Sequence, residues 1–376
     1  MTATTASGPL AGLRVLEIEA IGPVPWAAMM LSDLGADVLR VDRPTPPDLG
    51  LERDTRYQVT GRGRRSVVVD LKAAEGVEQV LRMAGRADIL LEGMRPGVME
   101  RLGLGPDPCM VRNPKLVYGR MTGWGQRGFL ADTVGHDINY IATTGVLHAI
   151  GRAGEPPVVP LNLVGDFGGG GMLLAFGVLA ALHEARDSGV GQVVDAAIVD
   201  GSLAMLAPVI GRWQSGGWSD ERESNVLDGG APFYRTYASS DGNAVAVGAL
   251  EPRFYAALLQ GLGLSGESLP RQHDRSSWPV MRDRFAAIFA QHPRDHWIRV
   301  FAGSEACVSP VLSLAEMAQD AHIRGRKSLV DVDGVLQPAP APRFSRTPGE
   351  IAGPPAQRGE GAKAALAEWG VSNSSI

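Results

Sequence analysis

The chain has 376 residues, 44% of them apolar and 20% charged, which is typical of a globular protein and excludes disordered and fibrous classes. At about 150 residues per domain, this length predicts two or three domains. The 36 basic and 41 acidic residues leave a net charge of −5, and no basic stripe suits a nucleic-acid backbone, so nucleic acid is not expected as a partner.

Targeting and redox signals are sparse. Cys109 and Cys307 provide neither a disulfide framework nor a set of metal ligands, and a reducing compartment fits them best, with Cys307 expected in the core. The first ten residues lack the basic and apolar regions of a secretory signal, and the final Ser-Ser-Ile is not a peroxisomal signal. The longest uncharged apolar stretch, 167–182, is shorter than the roughly 20 residues that span a bilayer. A cytoplasmic protein without a membrane partner is therefore expected.

A strand–helix–strand unit opens the chain. Residues 13–18 are apolar and β-branched, residues 22–34 carry apolar side chains at helical spacing, and residues 36–41 again suit a strand. This order predicts parallel pairing with a right-handed crossover. The first turn reads Ile-Gly-Pro-Val-Pro-Trp rather than G-x-G-x-x-G, and its prolines lack amides that a pyrophosphate would use. A nicotinamide dinucleotide is therefore not expected.

The alternation of strands and helices continues. Further strands are predicted at 66–71, 88–92, 116–121 and 191–195, and helices at 73–86, 98–102, 169–187 and 200–209. This pattern predicts a doubly wound α/β domain over residues 1–210.

A change in composition marks a linker over residues 211–230, which is rich in Gly, Ser and Trp, and a second region follows it. Strands at 234–238 and 244–248 flank Asp241-Gly242 as a hairpin, and helices are predicted at 254–262, 278–290 and 294–301. These elements predict a smaller α+β domain over residues 231–320.

Two segments carry candidate chemistry. His136 lies in Gly-His-Asp-Ile-Asn-Tyr, after a predicted strand and a glycine-rich loop, where α/β sheets bind ligands. Asp166 precedes Phe167 and four glycines at a predicted helix start, where backbone amides would stabilise a developing oxyanion and glycines would allow a ligand to approach closely. The structural alternatives are an N-cap for Asp166 and a hydrogen-bonding role for His136.

Other candidate residues leave two interpretations open. A set of basic residues in the first third suits either a multiply anionic ligand or a solvated rim: Arg40, Arg43, Arg62, Arg64, Arg65, Lys72, Arg95 and Arg101. Four apolar residues suit either a groove for an acyl tail or, with preference, core packing: Met121, Met172, Met205 and Trp213. The HExxH, CxxC and G-x-S-x-G motifs are absent, which disfavours zinc and α/β-hydrolase chemistry.

Several motifs spread over residues 8–348 occur together in one known family. They include Leu10-Ala-Gly-Leu-Arg-Val-Leu-Glu, Gly135-His-Asp-Ile-Asn-Tyr, Leu161-Asn-Leu-Val-Gly-Asp-Phe-Gly-Gly-Gly, Gly191-Gln-Val-Val-Asp-Ala-Ala and Asp228-Gly-Gly-Ala-Pro-Phe-Tyr. With these motifs the chain resembles the α-methylacyl-CoA racemases of the family III CoA-transferase superfamily. The resemblance implies a large Rossmann-like domain, a small domain, and a segment 321–376 that returns to pack on the large domain.

The resemblance also implies an interlocked homodimer, in which each chain threads through the other and the active site is shared between them. Carried over by position, His136 and Asp166 match the two catalytic bases. Glu251 matches a small-domain carboxylate that bonds the histidine across the dimer, and Asn162 would orient Asp166.

The acyl-CoA substrate would be the bound partner, with no metal and no separate cofactor. The residues implied for its CoA portion are Arg43, Val69, Asp70, Leu71, Lys72, Gly93, Met94, Arg95, Arg101, Gly135, Asp137, Ile138, Asn139 and Tyr140. Met94 stands where an aromatic residue is expected in close relatives.

The expected reaction is 1,1-proton transfer at C2 of a 2-methylacyl-CoA thioester through an enolate. An imidazole, with an ordinary pKa of about 6.5, can take the proton on one face, and a carboxylic acid can return one on the other. The enolate oxygen would meet amides at the glycine-rich helix start. The alternatives are a CoA-transferase with Asp166 as nucleophile and a non-catalytic acyl-CoA binder. The intact histidine motif favours the racemase, and the acyl group stays open between branched fatty acid, steroid side chain and arylpropionate.

Overall fold

The structure is a computed structural model that describes residues 7–46, 50 and 54–371. The first six residues of the N-terminal stretch considered above, and the C-terminal Ser-Ser-Ile, lie outside these ranges. The described residues form two compact units. One comprises the chain up to Thr144, Leu161–Met205 and the residues from His322 onward, and the other comprises Gly145–Pro160 and Leu206–Ala321.

A parallel sheet of six strands forms the centre of the first unit. The strands are β1 (Arg14–Ile18), β2 (Asp37–Asp42), β3 (Arg65–Val68), β4 (Ile89–Glu92), β5 (Val117–Thr122) and β6 (Val193–Ala197). Their order is β3-β2-β1-β4-β5-β6, and every neighbouring pair is parallel. The predicted α/β class and parallel sheet are thus confirmed. The strand order reverses between β1 and β4, the position at which such sheets bind ligands.

Helices cover both faces of this sheet. They are α1 (Pro23–Asp33), α2 (Ala74–Ala84), α3 (Val98–Arg101), α4 (Pro106–Arg112), α5 (Asp137–Thr143), a π-helix (Leu163–Met172), α7 (Leu173–Ser188) and α8 (Ile198–Met205), with short 3₁₀ turns at Thr55–Tyr57 and Val59–Gly61. Alternate residues of each strand point to opposite faces, so Val15 and Leu16 belong to separate hydrophobic clusters. The cluster that contains Leu16 also includes Trp369 of the C-terminal segment.

The same unit also contains the C-terminal elements. These are α14 (Ala321–Gly325), which begins at the boundary between the units, the antiparallel pair β10 (Leu329–Val332) and β11 (Val335–Pro338), and α15 (Ala362–Glu368).

The long helix begins six residues earlier than predicted, at Leu163 instead of residue 169. The four glycines lie inside this helix, where Gly169, Gly170 and Gly171 are buried. A Cβ on Gly171 would stand 2.8 Å from a ring carbon of Trp26 in α1, and one on Gly169 would stand 2.7 Å from the Ser202 hydroxyl in α8. The glycines therefore let three helices pack closely, and the expectation that they make room for a ligand was wrong for the buried three.

The combined helix Leu163–Ser188 is 26 residues long and apolar enough to cross a membrane by length and composition alone. The expectation that this apolar stretch is too short was therefore wrong. A core helix passes the same test. One face of α7 packs on the sheet, where Leu174 and Val178 are buried against Gly119 of β5, and 39% of the apolar window is buried.

The second unit contains a three-stranded antiparallel sheet with helices. Its elements are α6 (Val146–Ala149), α9 (Ala207–Gln214), β7 (Tyr234–Ala238), β8 (Ala244–Gly248), α10 (Pro252–Gly261), a 3₁₀ turn (Arg275–Ser277), α11 (Trp278–Phe289), α12 (Arg294–Phe301), β9 (Val308–Pro310) and α13 (Leu314–Met317). The predicted hairpin is confirmed at both strands, which pair around Asp241-Gly242. The predicted domain boundaries at residues 210, 230 and 320 stay predictions, because a compact unit need not fold independently.

Side-chain burial overturns several core assignments. Of the four apolar residues expected in the core, only Met121 is buried, while Met172, Met205 and Trp213 are each about half exposed. Cys307 is exposed as well, and it adopts a positive φ of 52°. Isolated apolar residues in loops and at helix ends show no periodicity, so sequence pattern could not place them.

We expect Gly119→Ala to lower the free energy of unfolding by about 1–3 kcal/mol, the usual cost of overpacking a core. The added Cβ would stand 2.8 Å from Val178 and 2.9 Å from Leu91. Urea denaturation measures the change, with Gly353→Ala as the control because its Cβ would meet nothing within 4 Å. Equal stabilities for the two variants would contradict this packing.

Candidate active site

The side chain of Asp137 joins the two segments singled out by sequence. Its Oδ1 accepts a hydrogen bond of 2.6 Å from the backbone N–H of Asp166, and its carboxylate also accepts from the N–H of Gly165. A Cβ on Gly165 would stand 2.2 Å from Asp137 Oδ1, so only glycine fits there. The segment carrying His136 and the segment carrying Asp166 are therefore held together by one carboxylate.

His136 is the residue immediately before α5, and its side chain is exposed. Its N–H donates to Oδ1 of Asn139 at 3.0 Å, which fixes the start of the helix. A helix of two turns, which the sequence pattern did not predict, begins at Asp137. The imidazole is consequently presented to solvent from a fixed backbone.

Asp166 lies in the first turn of the π-helix, whose N-cap is Asn162, so the N-cap interpretation of Asp166 was wrong. Burial raises the pKa of the Asp166 carboxyl above its ordinary value, and the negative charge of Asp137 raises it further. A 3.1 Å hydrogen bond from Asn162 Nδ2 and the nearby charge of His136 oppose this rise in pKa. Asn162 thus orients Asp166, as the resemblance implies.

The loop after β1 lies against the same carboxylate. Gly22, at the start of α1, has a φ of 66°, and a Cβ there would stand 3.2 Å from Oδ2 of Asp166. Trp26 of α1 stacks on Phe167 with ring centroids 5.7 Å apart. Asp166 is therefore located beside the end of β1, near the point where the strand order reverses.

Tyr140 holds the histidine segment in place. Its hydroxyl donates to the carbonyl of Gly135, and its ring meets Trp124 edge-on with centroids 4.9 Å apart. The ring also lies on Gly123, where an added Cβ would stand 2.0 Å from it. Any larger residue at position 123 would displace Tyr140 and the backbone that carries His136.

The backbone amides of the glycine run lie inside the π-helix, so their place as oxyanion donors, expected from sequence, was wrong. Helical amides beyond the first turn are used by the helix itself. The N–H groups of Asp137 and Ile138, next to His136, have no acceptor among the residues that the structure describes. These two amides are open donors beside the imidazole.

The residues implied for CoA, apart from Arg101 and those of segment 135–140, follow the carboxyl ends of neighbouring strands. Arg43 follows β2, residues 69–72 follow β3, and residues 93–95 follow β4. Because parallel strands end at one edge, these loops share that edge of the sheet. The side chains of Val69 and Leu71 are buried in the core, so only their backbone is available to a ligand.

The basic residues of the first third divide into two groups. Five of them form ion pairs within the fold: Arg40 with Asp42, Arg43 with Glu19, Arg62 with Asp33, Arg64 with Glu17, and Arg65 with Asp37. The expectation of an anion contact was wrong for Arg62 and Arg64, which are fully buried with their partners. Lys72, Arg95 and Arg101 are exposed and have no side-chain partner within the described ranges, which leaves them available to phosphates.

Glu251 precedes α10 in the second unit, and its side chain is exposed. Its role toward the histidine of a partner subunit stays a prediction. Among residues 7–46, 50 and 54–371, no group of three or more His, Cys, Asp or Glu side chains could hold a metal ion.

The linking role of Asp137 is the functional feature that sequence reasoning missed. Asp137 was assigned only to CoA contact, although an Asp directly after a candidate base was the available signal. Its carboxylate is buried, and that burial raises its pKa above the ordinary Asp value.

We expect Asp137→Asn to lower the pKa of Asp166, because the variant removes a nearby negative charge that raises it. A carboxyl-carbon NMR titration of Asp166 in both proteins measures this change. Asp132→Asn serves as the control, since Asp132 is exposed and makes no described contact with Asp166. An unchanged or higher pKa for Asp166 in Asp137→Asn would contradict the electrostatic link.

Comparison with known proteins assigns the chain to a family. Residues 10–361 match the model of CoA-transferase family III. An α-methylacyl-CoA racemase of Mus musculus is 46% identical over 98% of this chain and 95% of its own length, and that of Homo sapiens is 44% identical over 90% and 87%. A CaiB/BaiF family structure from Brucella suis superposes with a TM-score of 0.83 at 25% identity, covering 96% of this chain and all of that one. The chain belongs to CoA-transferase family III.

Proposed function

We propose that this protein is an α-methylacyl-CoA racemase that interconverts the R and S epimers of 2-methylacyl-CoA thioesters. The observation that carries the proposal is the joining of the His136 and Asp166 segments by the Asp137 carboxylate. A base and an acid at one place are what transfer of a proton from one face of a carbon to the other requires. The two racemase relatives support the same reaction.

The proton transfer divides between the two side chains. One base removes the C2 proton, the electron pair of the C–H bond moves toward the thioester oxygen, and the acid on the opposite face delivers a proton to C2. For one epimer His136 is the base and Asp166 the acid, and for the other epimer the roles reverse. The raised pKa of Asp166 favours this exchange because it keeps more of the proton-donating form near neutral pH.

The enolate formed between these steps requires stabilisation of its oxygen. We assign this to the open backbone amides of Asp137 and Ile138, which lie next to the imidazole. A donor placed where charge develops typically contributes about 10²–10³ in rate.

The CoA portion would bind along the carboxyl edge of the sheet. Lys72, Arg95 and Arg101 supply exposed positive charge for its phosphates, and Arg43 lies at the end of β2. Segment 135–140 would contact the pantetheine near the thioester. Exposed Met172 and Met205 offer apolar surface for the acyl group. Met205 lies close to Gly168 of the π-helix, where an added Cβ would stand 3.1 Å from its Sδ.

The assembly that we propose is an interlocked homodimer whose active sites are shared between chains. Glu251 of the partner subunit would bond His136 and hold its ring toward the substrate. The reaction needs no metal and no separate cofactor, since both protons move between side chains and carbon. We place the protein in the cytoplasm, without a membrane partner.

A CoA-transferase activity is the second candidate, favoured by the family to which the chain belongs. In that reaction Asp166 would attack the thioester carbonyl, and CoA would leave and later return to another acid. This chemistry does not use a base at position 136, whereas the racemase uses one, and here Asp137, the neighbour of His136 in the chain, accepts a hydrogen bond from the Asp166 amide.

In D₂O without a carboxylate acceptor, we expect deuterium to enter C2 of both epimers of a 2-methylacyl-CoA. His136→Asn and Asp166→Asn should each slow racemisation by about 10²–10⁴, while each keeps exchange with one epimer only because one base serves each face. Proton NMR of the C2 position measures both quantities. No deuterium entry with the unmodified protein would exclude the racemase, and CoA transfer to added acid without exchange would establish the transferase.

Co-expression of two inactive chains tests the shared site. A dimer of one His136→Ala chain and one Glu251→Gln chain has one site with both native residues if the site lies between chains. We expect mixed dimers, purified with two different tags, to recover up to about half of the native rate per dimer. Each variant alone should stay inactive, and no recovery in mixed dimers would show that the two residues do not share a site across chains.

A further inference from the structure

We propose that Arg358, in the C-terminal segment, joins Arg43 in binding the nucleotide phosphates of CoA, with Glu19 holding the two guanidinium groups side by side. Arg43, Glu19 and Arg358 are called the strand-end cluster below. This inference rests on the proposed function, because it takes acyl-CoA as the ligand.

Glu19 directly follows β1, and Arg43 directly follows β2. Both the backbone N–H and Nε of Arg43 donate to Glu19 Oε2, at 3.0 and 3.2 Å. Arg358 donates to Glu19 Oε1 through Nη2 and, at 2.7 Å through Nη1, to the backbone carbonyl of Arg43. One carboxylate and one carbonyl thus fix both arginines at the ends of two neighbouring strands.

The strand-end cluster carries more positive than negative charge. Glu19 is the one carboxylate shared by two guanidinium groups, and Asp42, 3.9 Å from Arg358, is already paired with Arg40 at 2.8 Å. Burial acts to raise the pKa of Glu19, but hydrogen bonds from Arg358 and Arg43 hold that pKa below its ordinary value, so Glu19 is ionised. The two arginines therefore leave a surplus of one positive charge.

The side chains of both arginines are partly exposed. The Arg43 and Arg358 side chains are 42% and 30% exposed, while Glu19 is only 11% exposed. Neither terminal nitrogen of Arg43 has an acceptor among the described residues. Guanidinium groups with free, oriented donors bind phosphate through paired charge-assisted hydrogen bonds.

The C-terminal segment holds Arg358 rigidly at this edge. The N–H of Gly359 donates to the Ser66 hydroxyl at 2.8 Å, and the N–H of Ser66 donates to the carbonyl of Glu360 at 2.9 Å. Helix α15 follows directly, and its neighbour Trp369 is buried in the core. The segment thereby adds a cation to the edge formed by β1, β2 and β3, where Arg43 and residues 69–72 are also located.

Removal of Arg358 would leave Arg43 alone with Glu19. The pair would then be neutral, and Glu19 would compete with phosphate for the Arg43 donors. Since the nucleotide lies away from C2, this loss affects binding equally in the ground and transition states, and it raises KM without lowering kcat.

The test compares two substrates with the same acyl group, a 2-methylacyl-CoA and the corresponding 2-methylacyl-pantetheine, which lacks the nucleotide. For Arg358→Gln we expect KM for the CoA ester to rise about 10-fold with kcat within about 2-fold, while kcat/KM for the pantetheine ester is unchanged. Arg346→Gln makes an equal change of charge at an exposed residue of the same segment, and it should leave kcat and KM for both substrates unchanged. Arg358→Lys, which keeps the charge but not the forked geometry, should fall between native and Arg358→Gln.

Calorimetric titration with CoA alone measures the same loss without turnover, so a failure of the racemase proposal leaves this test intact. An equal loss for both substrates would show a structural role only and overturn the proposal. Unchanged CoA affinity in Arg358→Gln would overturn it as well. If Arg358→Gln does not fold, the same measurements on Arg358→Lys test the proposal. A native KM and a native CoA affinity in Arg358→Lys would then overturn a site that requires the guanidinium group.

Discussion

The Asp137 carboxylate accepts the backbone amides of Gly165 and Asp166, and the arrangement of the candidate site depends on this contact. It connects a short helix that starts after β5 with a π-helix that starts beyond residue 162. Because Asp137 is adjacent in the chain to His136, the contact brings the imidazole and the Asp166 carboxyl to one place. The absence of a side chain at Gly165 makes the close approach possible.

The site holds its groups at an energetic cost. Asp137 and Asp166 are two carboxyls close together, and burial with mutual repulsion raises the pKa of Asp166. A group with a raised pKa in the folded state binds its proton more tightly there than in the unfolded chain, so ionised Asp166 destabilises the fold at neutral pH. In the proposed reaction the same shift would serve proton delivery, a trade between stability and activity that is common at catalytic sites.

Buried ion pairs join the residues just before β3 to α1 and β1. Arg62 with Asp33 and Arg64 with Glu17 are almost fully excluded from solvent, and breaking one such pair typically costs about 3–5 kcal/mol. The exposed cations near the strand ends are arranged differently: within the described ranges Lys72 and Arg95 have no carboxylate partner, and Arg43 and Arg358 share Glu19. Charge that stabilises the fold is thus separated from charge that can bind a ligand.

Sequence alone determined the alternating strands and helices and the hairpin, and it singled out His136 and Asp166 as candidates, because hydrophobic periodicity and local motifs act over a few residues. It did not determine the start of the π-helix, since a run of glycines indicates a break until neighbouring helices pack against it. It also could not show that Asp137 binds Asp166 or that Arg358 reaches Arg43, 315 positions away. Such contacts exist only once the sheet orders its strands, and tertiary structure alone decided them.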